Sequence, residues 1–200
     1  RSSDLNAKKG AIAYTMVKNL KKQIEVKTKG KSQGDTALAT TWQWWNLSIP
    51  AQGDNQNERE GNKVKARSLY VNGYIKKNLS NGHRWVRIMV VRKKQCEATA
   101  PVTVDVFNTD SFSSLRNTTP EAMKNYVVLF DKTYKINVSH GPEDHYVKIM
   151  KKLNHEQTFI NGLEVDSASG TNGIWIGAVN DQASNVPTFG FVSLYRYNDL

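Results

Sequence analysis

Cysteine is nearly absent from this chain of 200 residues, Cys96 being the single one. One thiol cannot close an intrachain disulfide, and it cannot build a cysteine-based zinc site. That argues against a disulfide-stapled secreted domain and favours a reducing compartment. No apolar run is long enough to span a bilayer, and no signal-peptide pattern is present. The four Asn-x-Ser/Thr triplets, at Asn46, Asn78, Asn117 and Asn137, are therefore expected to be incidental. Neither a G-x-S-x-G elbow nor a glycine-rich phosphate loop occurs. Acidic residues are scarce as well: 18 Asp and Glu stand against 28 Lys and Arg, a net charge of +10. An excess of that size points to an anionic partner such as nucleic acid or a membrane surface.

What is present is unevenly placed. Residues 1–31 hold nine Lys and Arg against Asp4 and Glu25, a net +7 of the total +10. Within them, Ile12, Met16, Val17, Leu20 and Ile24 recur at helical spacing and share a face with Ala13. Lys18, Lys21 and Lys22 fall opposite, joined by Lys8. A surface helix with a solvated lysine face is the commoner meaning of such a pattern. Here the charge runs on through Lys27, Lys29 and Lys31 into "TKGKSQGD", which reads as a linker rich in turn formers. A basic helix on a flexible tether suits phosphate binding through counterion release. Membrane binding is disfavoured, because Tyr14 is the single aromatic anchor of the segment.

Beyond about residue 36 the helical period disappears. Strand-like runs are expected at 37–48, 63–77, 84–92, 102–107, 126–138, 146–153, 173–179 and 188–197. Asn81–Gly82 marks a hairpin turn between the second and third. Val102, Val104 and Val106 alternate as an inward face. Val86, Ile88 and Val90 form one face of their strand, with Trp85, Met89 and Val91 on the other. Residues 111–117 and 119–125 could each hold a helical turn, the latter with Thr119 as N-cap and Pro120 at N1. Eight strands with long, uneven loops imply an all-β two-sheet sandwich or jelly roll. Several strands are apolar on both faces, which hints at subunit contacts. The expected division is a basic helical arm and linker over 1–35 and a sandwich domain over 36–200.

Three groups of motifs carry a family resemblance. The first is a loop of the pattern Q-G-D-x-x-x-x-R-x-G-x-x-V, formed by Gln52, Gly53, Asp54, Arg59, Gly61 and Val64. The second is the F-N-T-x-x-F tract of Phe107, Asn108, Thr109 and Phe112, followed by "VLFDKT" over 128–133. The third is "MVKNL…IEVK" over 16–27. Their order and spacing resemble the coat proteins of small icosahedral satellite viruses of the satellite tobacco necrosis virus type. They are also similar to jelly-roll capsid proteins of small circular single-stranded DNA viruses. The resemblance implies an eight-stranded jelly roll without catalysis. It implies self-assembly into a T=1-type shell of about sixty copies, the number of equivalent positions in icosahedral symmetry. The arm would face a packaged single-stranded RNA or DNA. The protein would reside in the virion, and inside the host cell before assembly. Sixty arms of +7 would bring about 420 positive charges, on the scale of a genome of about a kilobase.

The candidate genome contacts are Lys8, Lys9, Lys18, Lys21, Lys22, Lys27 and Lys29, with Lys63, Lys65 and Arg67 as a second set. The second set has an alternative use, pairing with Glu58 or Glu60 of a neighbouring subunit, and Arg59 is expected at the same boundary. Along that strand Lys63, Lys65 and Arg67 give way to Leu69, Val71 and Ile75 at the same parity. One wet end and one core end are therefore expected. Lys148, Lys151 and Lys152 share no clean face and are expected to be solvated. No cofactor is required, although such shells often carry structural calcium between subunits. The resemblance makes Asp199, Glu60 and the backbone at Lys63 the candidate ligands.

Enzyme chemistry has little support. His140, Glu143, Asp144 and His145 lie in "HGPEDH", which matches no zinc spacing and reads as a polar turn. His83 and His155 read as loop residues, and Cys96 as a passive loop thiol beside Lys93 and Lys94. Two other classes compete with a capsid. One is a lectin-like jelly roll, which has no use for a basic arm. The other is a single-stranded nucleic-acid-binding sandwich with Trp42, Trp44 and Trp45 as stacking platforms. Basic residues do not interleave with those tryptophans, so core or interface is the expected role.

Overall fold

The alternation of apolar and polar residues resolves into eight strands and two short helices in a computed structural model that describes Ile12 and residues 25–77, 83–95, 99–137, 144–159 and 170–200. The elements are β1 (Lys27–Ala37), β2 (Gln43–Asn46), β3 (Lys63–Lys76), β4 (His83–Lys93), α1 (Thr103–Val106), α2 (Pro120–Asn125), β5 (Tyr126–Asn137), β6 (Asp144–Thr158), β7 (Gly173–Asn180) and β8 (Thr188–Asp199). The strands form two antiparallel four-stranded sheets, in the orders β1-β8-β3-β6 and β2-β7-β4-β5. Every connection except β4 to β5 crosses from one sheet to the other. That is the strand order of a jelly roll, and the fold is an all-β sandwich.

The number of strands agrees with the sequence, but the set does not. Residues 28–35, expected as a linker, make up most of β1, which pairs with β8. Nearly all its side chains are exposed or half-buried. An edge strand bonded on one side needs little apolar content, so its turn-forming residues are tolerated. Residues 102–107, expected as a strand, contain the helical turn α1 instead, and Val102 and Val104 are exposed. Alternating valines need a sheet to join, and this segment lies in the long β4–β5 connection. The expected hairpin at Asn81–Gly82 falls outside the described residues, but the strands it joins lie in opposite sheets and do not pair. An Asn-Gly pair favours a chain reversal without specifying which strands pair. The second helical turn does form: the Thr119 hydroxyl accepts from the Ala122 amide at 3.3 Å, with Pro120 in the first turn. No helix forms over 111–117.

β3 corrects the idea of one face passing from wet to core. Val64 and Ala66 are buried before Arg67, whereas Leu69, Val71 and Ile75 are buried after it. Against β8, Ala66 faces Tyr197 and Ser68 faces Arg196, so Arg67 is an extra residue. This β-bulge inverts the parity of the strand.

Two apolar clusters hold the sandwich. The main one lies between the sheets and includes Val86, Ile88 and Val90 of β4 together with Phe189, Phe191, Tyr195 and Tyr197 of β8. Trp45 packs against Phe189 and Phe191 at ring separations of 6.0 and 5.9 Å. The second cluster comprises Trp42, Met89, Val91, Val106, Phe107, Tyr126, Trp175 and Val179. It uses the opposite face of β4, which the β4–β5 connection covers. The apolar second face of β4 therefore has a partner within the same chain.

Candidate nucleic-acid interface

Of the expected arm contacts, Lys8, Lys9, Lys18, Lys21 and Lys22 lie outside the described residues. Ile12 is helical and exposed. Lys27 is described, and it is not a free cation. Its side chain is 4% exposed, with Nζ 2.8 Å from Glu60 Oε1 and 2.9 Å from Asp199 Oδ2. Burial alone would lower its pKa. Bonds to the two carboxylates outweigh that and push the pKa up to about 12. Lys29 follows on β1 and is half-buried.

The same triad bears on the calcium expectation. Asp199 and Glu60 do converge, but on the Lys27 ammonium. Lys63 contributes its carbonyl to the Leu200 amide at 3.3 Å. Among the described residues no group of three or more His, Cys, Asp or Glu could hold a metal. Two carboxylates already bridged by an ammonium do not fit a calcium ion within one chain, which needs six to eight oxygens.

The second basic set shares one side of β3, opposite buried Val64 and Ala66. Lys63 is exposed, Lys65 is half-buried, and Arg67 is exposed at the bulge. Arg67 Nε donates to Asn198 Oδ1, and Asn198 Nδ2 donates to the Glu25 carbonyl at 2.6 Å. These bonds tie the residues before β1 to the end of β8. The expected intersubunit partners are also used internally. Glu60 pairs with Lys27, and Glu58 accepts from the Asn55 amide and side chain at 3.1 and 2.8 Å. Arg59 is 1% exposed, with its guanidinium 4.4 Å from the centre of the Phe159 ring. It also donates to Asn62 Oδ1 at 3.3 Å. Burial lowers its pKa from the usual arginine value.

Further along the same outer sheet face more cations gather. Tyr146, Lys148, Met150 and Lys152 alternate along β6 with buried Val147 and Ile149, and all four are exposed on the outer face of the first sheet. The three lysines share no single face, as expected, because Lys151 falls in the other row, but Lys148 and Lys152 stand together and exposed. The register places Met150 beside Tyr70, which lies beside Leu194. Lys152 lies beside Ser68, and Ser68 beside Arg196. Ser68, Tyr70, Met150, Lys152, Leu194 and Arg196 line a hollow of about 660 Å³. The period of two in "YVKIMKK" was a visible signal; its neighbours on β3 and β8 were not.

The tryptophans are not stacking platforms. Trp42 is buried and stacks on Trp44 and Phe107 at 5.3 and 4.5 Å. Of the enzyme candidates, His140, Glu143 and Cys96 lie outside the described residues. Asp144 and His145 begin β6, and His83 begins β4. His155 is not in a loop: it sits within β6, half-buried. Burial, followed by the Arg92 charge, lowers its pKa to about 4. No described helix is long and apolar enough to cross a membrane.

Fold and surface define a jelly-roll β-sandwich with a basic, partly aromatic outer sheet face. No family model matches the chain, and no curated protein matches it. Among solved structures the chain is similar to the empty head of turnip yellow mosaic virus, at 12% identity and a TM-score of 0.36. The match covers 87% of this chain and 80% of that one. A likeness this loose carries no argument about function.

Proposed function

We propose that this chain is a viral coat protein of the small satellite type. In this role it assembles into a T=1-type icosahedral shell and packages single-stranded nucleic acid through its basic N-terminal arm. The role is structural, its partners are other copies of itself and the genome, and its place is the virion. The observation that carries the proposal is the joining of a jelly roll to a basic segment ahead of β1. Viral capsid domains are a common use of the jelly roll, alongside lectins and cupins. The cavity-based uses fit poorly, because the space between the sheets is filled by Trp45, Phe189, Phe191, Tyr195 and Tyr197. With β1 starting at Lys27, residues 1–26 hold six Lys and Arg against two acidic residues, a net +4. Lys27, Lys29 and Lys31 belong to the sandwich.

The test is light scattering with an A260/A280 reading on purified full-length protein. A megadalton particle carrying nucleic acid is expected. A monomer at moderate salt with nucleic acid present would refute the shell. Deleting residues 1–26, and no further because strand begins at Lys27, should remove most of the nucleic acid. Unchanged packaging would refute the role of the arm.

A further inference from the structure

Among the described residues no element packs on the outer face of the sheet β1-β8-β3-β6, which is apolar at its centre and basic over most of its length. Tyr146 is 79% exposed and Met150 68% exposed. Between and beyond them stand Lys148 and Lys152, with Arg196 across the sheet. The ion pairs among the described residues involve none of these three cations. The carboxylates of this face lie at its ends. Asp35 and Asp144 lie next to Lys76, and Glu156 lies opposite Lys65. β1, which the basic arm precedes, is an edge strand of the same sheet.

We infer that this face is a second binding surface for single-stranded nucleic acid, built into the sandwich and separate from the arm. Unpaired bases stack on Tyr146 and the neighbouring Tyr70–Met150 row, while Lys148, Lys152 and Arg196 neutralise successive phosphates. Cations interleaved with exposed aromatic and thioether groups are the chemistry of sequence-tolerant single-strand binding. A duplex offers only its phosphates to such a face, because its bases are already stacked. A second copy of the chain is the competing occupant, and charge disfavours it. An isologous contact would set the lysines of one copy against those of the other.

The experiment is a fluorescence-polarisation titration of the full-length chain over a salt series. The probes are oligo-uridine and oligo-thymidine of about 20 nucleotides, longer than the ~4–16 that one binding surface occupies. Tyr146→Ala should weaken binding about tenfold at every salt concentration, and Tyr146→Phe should restore it, since stacking needs the ring and not the hydroxyl. Lys148→Ala with Lys152→Ala should instead flatten the slope of log affinity against log salt by about 1.4, two phosphate contacts at ~0.7 each. These side chains are exposed, so the variants should keep the wild-type melting temperature. Wild-type affinity and slope in both variants would overturn the inference. Unchanged affinity with a smaller particle in light scattering would also overturn it, and would make the face a contact between copies. The arm is present in every sample, so a failed arm or a failed shell leaves the differences between variants readable.

Discussion

Replacing Phe107 with alanine tests how the β4–β5 connection is held over the second sheet. Phe107 is fully buried and stacks on Trp42 at 4.5 Å, with the Arg87 guanidinium 4.9 Å from its ring centre. Arg87 cannot move in to fill the space. It makes a two-pronged bond to Asp131 at 2.9 and 2.8 Å and donates to the Phe112 and Ser114 carbonyls at 3.2 and 2.6 Å. Large-to-small changes at buried phenylalanines cost about 3–5 kcal/mol, and more where the walls cannot collapse. A loss of about 4 kcal/mol is expected, out of a total stability of ~5–15 kcal/mol. With a urea m-value of about 2 kcal/mol per molar, the unfolding midpoint should fall by about 2 M. Tryptophan fluorescence of the full-length chain reads this directly, since Trp42 touches the deleted ring. Phe112→Ala, at a half-buried position, should cost less. A midpoint shift below about 0.5 M at unchanged m would refute the claim that Phe107 anchors the connection.

Two further outcomes follow from the geometry. Folding holds His155 neutral, with a pKa of about 4 against the ordinary 6.5, so the unfolded chain binds the proton more tightly. Its contribution to stability is present above pH 6.5 and is lost as pH falls toward about 4. His155→Gln should reduce the acid-side decline of the unfolding midpoint; an identical pH profile in the variant would show that other groups cause it. At Gly177 an added Cβ would lie 2.5 Å from the Trp44 ring, so Gly177→Ala should overpack by about 2 kcal/mol. The melting temperature should then drop by about 4–8 °C, and no change would mean that the ring swings aside freely.

Much of the fold was legible because it is written locally. A period of two, or a continuous apolar and aromatic run, marked β3, β4, β5, β7 and β8 to within a few residues, and Thr119–Pro120 marked the start of α2. β1 was missed because an edge strand needs few apolar side chains. Residues 102–107 were misread because their alternation resembles that of a strand, although only Val106 and Phe107 are buried there. Arg67 hid a bulge, so a change of parity looked like a change of environment. The site was less legible than the fold. Lys27 looked like one more arm cation until Glu60 and Asp199 closed on it.

The sequence by itself determined the net charge, the basic character of the segment before the sandwich, the all-β class and the apolar stripe of each main strand. These depend on residue type and on spacings of a few residues. Tertiary structure alone decided which strands are neighbours and which charges remain free. Lys27 meets Asp199, and Tyr70 meets Met150 and Leu194, only because β1, β3, β6 and β8 share a sheet. Such contacts join residues tens to more than a hundred positions apart, and no local spacing encodes them.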